Sequence, residues 1–402
     1  MKAVIFHGLG DIRIDDVPEP VIEAPTDAIV RLTASAICGT DLHFVRGTVS
    51  GLQKGQTLGH EGVGIVESVG PEVTDIQIGD RVIIPSTVGC GACQYCRRGF
   101  WAQCDVANPN GKLAGTVYYG ATQENGGLKG LQAEKARVPF ADANLVRVPE
   151  EISDDQAILM SDILPTGWFG ADLAEIEAGD NVLIFGCGPV GQMAIASARL
   201  MGGHVIAVDR LPDRLALARR QGAQTIDFDE QDVVQAVRDL TDGDGAARVI
   251  DVVGVDAQHA QHGPAKPGLL EQAKGAVEQM LIEPGAHKHG RHFIAGDGPA
   301  QVHDWAVACA AKAGTVAIIG VYPPTDRIFP IGQAMNKNLT IRMGNANHRR
   351  YYDVLIDHVL AGRLNPVEIL SNVEPLSDAI SAYKAFDERQ PGWIKVELQP
   401  TE

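Results

Sequence analysis

Four cysteines, Cys90, Cys93, Cys96 and Cys104, fall within one fifteen-residue stretch as C-x2-C-x2-C-x7-C. Two relaxed disulfides do not fit there, because neighbouring bridges would compete for the same short backbone. Four thiolates at this spacing suit one tetrahedral zinc, and a closed four-cysteine set leaves no position for a substrate. The stretch 88–106 is therefore expected to be a structural zinc lobe. Two other readings stay open: an iron–sulfur cluster, which takes the same four ligands, and a reduced cluster without metal.

The chain around this lobe has 402 residues, enough for two or more domains at about 150 residues each. Its net charge of −17 gives no basic face for nucleic acid or for an anionic membrane surface. No stretch approaches the roughly 18 apolar residues of a membrane span. The run Val4-Ile5-Phe6 is too short for a signal peptide. With seven cysteines, an odd number, four of them assigned to a metal, the expected setting is cytoplasmic, with reduced thiols.

Hydropathy patterning divides the chain. Up to about residue 155, short β-branched runs recur at 4–6, 28–32, 64–69 and 81–84, separated by Gly, Pro and Asp, as in a barrel or sandwich. From 156 to 334 apolar strands alternate with helical segments, the signature of a doubly wound parallel sheet. The strands are expected at 181–185, 204–209, 248–253 and 315–320. From 335 the pattern is mixed, with helices expected at 348–361 and 377–386 and a closing strand at 393–398. The expected architecture is α/β: a β-rich domain from 1–155 and 335–402, and a nucleotide-binding domain over 156–334.

Gly186-Cys187-Gly188-Pro189-Val190-Gly191 is G-x-G-x-x-G, with an apolar strand before it and a helix after it. Gly186 permits a tight turn, Gly188 lets the backbone approach a pyrophosphate, and Gly191 lets helix pack on strand. The helix N-terminus, with Pro189 and Val190, favours the negative charge. Asp209 ends the next strand, 23 residues after Gly186, where a carboxylate accepts hydrogen bonds from both ribose hydroxyls and repels a 2′-phosphate. The expected cofactor is NAD, with Arg210 next door as the feature that weakens the discrimination against NADP.

Cys38-Gly39-Thr40-Asp41-Leu42-His43 precedes Gly59-His60-Glu61-Gly62-Val63-Gly64. Thiolate and imidazole are both good zinc ligands, and a catalytic zinc commonly keeps three protein ligands and one open position. By residue type alone, a buried apolar cysteine and a structural histidine are equally open readings.

With these segments, the four-cysteine lobe and the nucleotide fingerprint in this order, the chain resembles the zinc-dependent medium-chain alcohol dehydrogenases over essentially its whole length. Ser161-Asp162-Ile163-Leu164-Pro165-Thr166-Gly167 is similar to the branch of glutathione-independent formaldehyde dehydrogenases and formaldehyde dismutases. The resemblance implies a GroES-like catalytic domain joined to a Rossmann domain. It implies a catalytic zinc on Cys38, His60 and Asp162, with Glu61 beside the metal, so two zinc ions per chain. It implies a proton relay through Thr40 and His43, a cofactor contact at Thr166, a small alcohol or aldehyde as substrate, and a homotetramer, with a homodimer as the alternative.

Between Gly254 and Gly314 the chain runs about 60 residues where a crossover needs about 25. The excess, about 255–300, is rich in Gly and Pro. His259, His262, His287, His289, His292 and His303 lie in this stretch, six of the twelve histidines. The alternatives are a solvated loop carrying a helix or two, a further metal site, and a cover over the adenine end of NAD. A cofactor held that way would make an aldehyde dismutase. Ser86, where many relatives carry an aromatic, is expected to widen the pocket toward larger primary alcohols or polyols. Trp101, Tyr118 and Trp168 are expected either to line that pocket or to serve as core packing. Two further alternatives are weaker. A zinc-free quinone or enoyl reductase would lack the metal ligands, and a zinc-ribbon nucleic-acid binder would need basic surface.

Overall fold

The computed structural model describes residues 1–288 and 290–400. The chain forms two compact units. One comprises Met1–Val45, Gly51–Pro165 and the tail from Asn345; the other comprises Arg46–Ser50 and Thr166–Gly344.

The first unit is built on two sheets. The smaller has Asp11–Asp16, Lys2–Gly8 and Gln56–Thr57 side by side. The larger runs Leu370–Pro375, Lys395–Gln399, Ala28–Ile37, Gly62–Val69, Arg81–Ile84 and Val146–Arg147, with Lys135–Val138 also on Ala28–Ile37. Alternate side chains Val30, Leu32, Val66, Val82 and Ile84 point into one core with Leu131 and Tyr119. The strand Lys395–Gln399 pairs antiparallel with Ala28–Ile37, Val396 lying opposite Ile37. The last strand of the chain thus delivers Lys395 beside the segment that begins at Cys38.

The second unit is a six-stranded sheet, every pair parallel, in the order Gln224–Asp227, His204–Asp209, Asn181–Phe185, Ala246–Asp251, Ala310–Ile318, Thr340–Met343. That is the doubly wound order with its reversal at Asn181–Phe185. Consecutive residues of the central strands bury on opposite faces. Leu183, Phe185, Ile206, Val208 and Val249 pack one side; Val182, Ile184, Val205, Ala207 and Ile250 pack the other. Strands covered on both faces read as unbroken apolar runs, which is why they were visible in the sequence.

The long crossover differs from its sequence pattern. The strand begins at Ala310 rather than near 315, and the helix Gln301–Cys309 precedes it, packing Val302, Ala306 and Cys309 on the sheet. The inserted part carries a short turn Gly254–Asp256 and one longer helix, Leu269–Ile282. Arg46 donates to Asp256 Oδ2 at 2.8 Å, and both residues are buried in this unit. The His287 amide donates to the Arg46 carbonyl. Four of the histidines hold loops. The Nδ1 atoms of His262, His287 and His303 lie 3.0 Å from backbone carbonyls, and that of His259 lies 2.7 Å from Gln301 Oε1. Among the described residues no metal-type cluster forms in the insertion. His289 lies outside the described residues.

Glu283 ends this insertion helix at 1% exposure, and neither carboxylate oxygen has a hydrogen-bond partner among the described residues. Burial pushes its pKa up to about 8, with Asp256 adding repulsion and Lys288 and Arg46 pulling back. A carboxyl whose folded pKa exceeds its unfolded value binds its proton more tightly when folded, so its contribution is full at low pH and lost as pH rises. Glu283→Gln should therefore match the wild type near pH 5 and exceed it increasingly up to about pH 8. The gap should then level off, at a few kcal/mol by order of magnitude. Urea unfolding of both proteins across that range measures it.

Candidate functional site: two donor clusters and a glycine-rich turn

Each cluster is built by local backbone. In the cysteine lobe the four sulfurs of Cys90, Cys93, Cys96 and Cys104 lie within 4.8 Å of one another, and none is in a disulfide. Backbone amides converge on them: Ala92 and Cys93 donate to Cys90 Sγ, Cys96 to Cys93 Sγ, and Val106 and Ala107 to Cys104 Sγ. Amides aimed at sulfur favour thiolate. Burial opposes the Cys93 anion, but the Cys96 and Asp105 amides outweigh it and lower the pKa to about 6. Such a set fits a tetrahedral zinc. Trp101 packs over Gly89 and Gly91 here, where an added Cβ on Gly89 would lie 2.8 Å from its ring. Trp101 therefore packs within the lobe, one of the two readings open to it in the sequence.

The second cluster gathers Cys38, His60, Glu61 and Asp162, all buried, with one donor atom from each within 4.8 Å of the others. Cys38 closes the strand Ala28–Ile37, and His60 and Glu61 precede the paired strand Gly62–Val69. Asp162 sits at the break between the helices Asp154–Ser161 and Ile163–Leu173, at φ −142° and ψ −63°. Its Oδ2 is 3.7 Å from Cys38 Sγ and 3.6 Å from His60 Nε2. Thiolate, imidazole and carboxylate form a donor set that suits zinc.

Buried donors need outer partners to orient them. Asp41 Oδ1 lies 3.3 Å from His60 Nδ1, while its Oδ2 accepts from the Cys38 amide and from Gln132 Nε2. Lys395 Nζ lies 2.5 Å from Glu61 Oε1, both side chains fully buried, and Glu61 Oε2 has no partner among the described residues. His348 Nε2 lies 2.8 Å from Asp162 Oδ1. Burial works against the Asp162 anion, yet hydrogen bonds from His348 and His60 hold it well below the usual carboxylate range. Burial likewise opposes charge on His60, but Asp41 and Cys38 outweigh it and raise its pKa. Burial lifts Glu61 to about 7, against the pull of Lys395.

None of Asp41, Lys395 or His348 stood out in the sequence. Asp41 lies inside the segment already quoted, three residues after Cys38. The other two lie more than 180 residues in sequence from their partners. Thr40 is half-buried and His43 buried on the helix Gly39–Arg46, in the same segment as Cys38. Ser86 is buried, its amide donating to the Ser161 carbonyl next to Asp162. Tyr118 stacks on Phe44 at 6.4 Å, and burial with the nearby Asp41 raises its pKa to about 12 against the effect of His60.

In the second unit the strand Asn181–Phe185 leads into the helix Pro189–Leu200. Gly186 has φ +92°, and a Cβ on Gly191 would lie 1.9 Å from the Gly186 carbonyl, so neither position accepts a side chain. Gly188 is open: a Cβ added there would meet only the Arg214 guanidinium, at 3.5 Å. Arg214 went unmarked in the sequence and is a cation facing the glycine-rich turn. Asp209 Oδ2 accepts from the Cys187 amide at 2.7 Å, and Oδ1 accepts from the Arg210 and Leu211 amides. Arg210 turns to Asp229 at 3.4 Å and to the His259 carbonyl. Thr166 lies on the helix Ile163–Leu173, whose Gly167 packs against the backbone of Met193 and Ala194.

Comparison with known proteins agrees with this assembly. Residues 24–150 match the alcohol dehydrogenase GroES-like domain, and residues 189–262 match the zinc-binding dehydrogenase domain. The chain is 36% identical over the full length of both proteins to an uncharacterized zinc-type alcohol dehydrogenase-like protein, AdhB, of Bacillus subtilis strain 168. It is 32% identical to a glutathione-independent formaldehyde dehydrogenase of Pseudomonas aeruginosa strain LESB58, over 97% of this chain and 96% of that one. Among solved structures it is similar to alcohol dehydrogenase TADH from Thermus sp. ATN1, with a TM-score of 0.80, 32% identity and 99% of each chain covered. The chain belongs to the zinc-type alcohol dehydrogenase family, and it is an oxidoreductase with a GroES-like domain and a Rossmann domain.

Two outcomes test these clusters. Cys104→Ser should cost one zinc per chain by metal analysis and lower the melting temperature sharply, since structural zinc contributes on the order of 10 kcal/mol in small domains. Lys395→Met should destabilise by about 3–5 kcal/mol in denaturant unfolding, because it leaves Glu61 buried without its partner. The double variant with Glu61→Gln should recover most of that loss.

Proposed function

We propose that the protein is a zinc-dependent dehydrogenase that transfers hydride between a small alcohol or hydrated aldehyde and NAD. The observation that carries this reading is the buried donor set of Cys38, His60 and Asp162 on the chain that also holds the glycine-rich turn. In this reading Cys90, Cys93, Cys96 and Cys104 hold a structural zinc, and Cys38, His60 and Asp162 hold a catalytic one. When bound, the metal polarises the substrate oxygen and the nicotinamide ring takes the hydride.

The chain's own residues do the rest. Lys395 engages Glu61 Oε1, and the other oxygen of Glu61 stands beside the metal as an outer partner or a transient ligand. Thr40 Oγ1 accepts the proton of the substrate hydroxyl as it gives up its own toward His43, which carries it onward. Gly186, Gly188, Pro189, Val190 and Gly191 cradle the pyrophosphate, with Arg214 and Thr166 as further contacts. Asp209 accepts from the adenosine ribose. Support for NAD over NADP comes from Arg210, which is engaged by Asp229 and His259 rather than presented to a 2′-phosphate.

The finer substrate we assign is formaldehyde or a small aldehyde. It is supported by the likeness to the Pseudomonas enzyme and by the aspartate at position 162. We also assign a cytoplasmic homotetramer. The free thiols support that compartment, and the exposed Leu269, Leu270, Val277, Met280 and Leu281 on one helix support association.

Formaldehyde with and without added NAD, followed at 340 nm and by carbon NMR, separates the outcomes. Formate and NADH only with added NAD are expected. Equal formate and methanol without added NAD would identify a dismutase that retains its nucleotide. Neither product would shift the assignment to larger primary alcohols or polyols. Asp162→Ala should remove one of two zinc ions and lower kcat/KM by at least about a hundredfold, by analogy with the loss of one electrostatic group in other enzymes.

A further inference from the structure

We propose that His348 is a positioning residue for Asp162: it commits one carboxylate oxygen away from the donor cluster, so that a single oxygen remains to hold the metal. This rests on Asp162 being a metal ligand, as assigned above. The backbone alone does not aim this side chain, because Asp162 occupies a break between two helices. The aim comes from the two ends of its carboxylate. Oδ2 faces Cys38 Sγ and His60 Nε2, while Oδ1 lies 2.8 Å from His348 Nε2.

The direction of that hydrogen bond is fixed by chemistry. A carboxylate only accepts, so Nε2 carries the hydrogen. Thr87 Oγ1 lies 2.9 Å from Nδ1 and also 3.2 Å from the Ala346 carbonyl. If the hydroxyl donates to Nδ1, the ring is neutral with its hydrogen on Nε2. If it donates to Ala346, both ring nitrogens carry hydrogen. Nε2 donates to Oδ1 in either case.

The imidazole is itself held in place. His348 is 2% exposed and opens the short turn His348–Arg350, which is closed by the Tyr351 amide on the His348 carbonyl. Its neighbours Ala346 and Asn347 are pinned by Thr87 Oγ1 and by the Ala102 amide. A ring so fixed defines the carboxylate's rotation. With Oδ1 committed, Asp162 offers one oxygen, which keeps the coordination number low. The hydrogen bond also draws charge from the ligand, leaving the metal a stronger Lewis acid. Partners that orient metal ligands commonly change metal affinity by about 10–100-fold when removed.

The test uses purified holoenzyme of the wild type, His348→Leu and His348→Gln. The readouts are zinc release to a chelator and the d–d spectrum after cobalt(II) replaces the more labile zinc. His348→Leu is expected to lose that zinc about 10–100 times more readily. Its cobalt absorption should weaken as Asp162 Oδ1 joins the metal and coordination rises above four. His348→Gln, which keeps an N–H donor, should restore much of both. A His348→Leu protein with wild-type release and wild-type cobalt spectrum overturns the proposal. A wild type that binds zinc only in the cysteine lobe overturns instead the assignment of Asp162 as a ligand, and the proposal with it. If His348→Leu melts below assay temperature, Thr87→Val frees the ring while keeping it. Zinc release should then quicken at least about threefold, a small part of the usual loss, and an unchanged rate overturns the proposal.

Discussion

Burying several acidic donors in one place is the constraint on which the first unit depends. Cys38, Glu61 and Asp162 meet beside His60 with almost no solvent, an arrangement that self-repulsion would break without compensation. Compensation comes from His60 and from three outer groups. Asp41 braces His60, Lys395 meets Glu61, and His348 meets Asp162. Lys395 and His348 belong to the tail, so the tail has to return to the N-terminal sheet for the site to exist. The pairing of Lys395–Gln399 with Ala28–Ile37 is how the backbone accomplishes it.

The same tail ties the site to the cysteine lobe. Asn347 accepts from the Ala102 amide inside the lobe, Ala346 accepts from Thr87, and His348 contacts Asp162. Three consecutive residues therefore link the cysteine lobe to the second donor cluster. The lobe thus contacts the 345–348 segment directly, through the Ala102 amide on Asn347 Oδ1. In the second unit, Asp209 plays a comparable double part, closing the glycine-rich turn through the Cys187 amide and holding the start of the next turn through the Arg210 and Leu211 amides.

Local chemistry made much of this legible. The four cysteines, the G-x-G-x-x-G turn and the apolar strands around it are short-range signals, because each is read within a few residues. Cys38, His60 and Asp162 were legible only through family resemblance, since a lone cysteine, histidine or aspartate has many ordinary uses. Trp101 illustrates the limit: an aromatic near a site is not distinguishable by sequence from one that packs on a lobe. The histidines of the insertion illustrate it again. Their number suggested a ligand set, yet His262, His287 and His303 each meet a backbone carbonyl and His259 meets a glutamine.

What the sequence by itself determined is the set of elements and the chemistry available to them: strands covered on both faces, a turn that only glycine can make, and thiols spaced for one ion. The tertiary structure alone decided which distant groups stabilise the buried acids. Lys395 reaches Glu61 across 334 residues and His348 reaches Asp162 across 186. No periodicity or spacing encodes such pairs, because they arise where strands and turns from opposite ends of the chain are brought into register. The demand that buried charge find a partner is a property of the folded interior, and it selects its partners there.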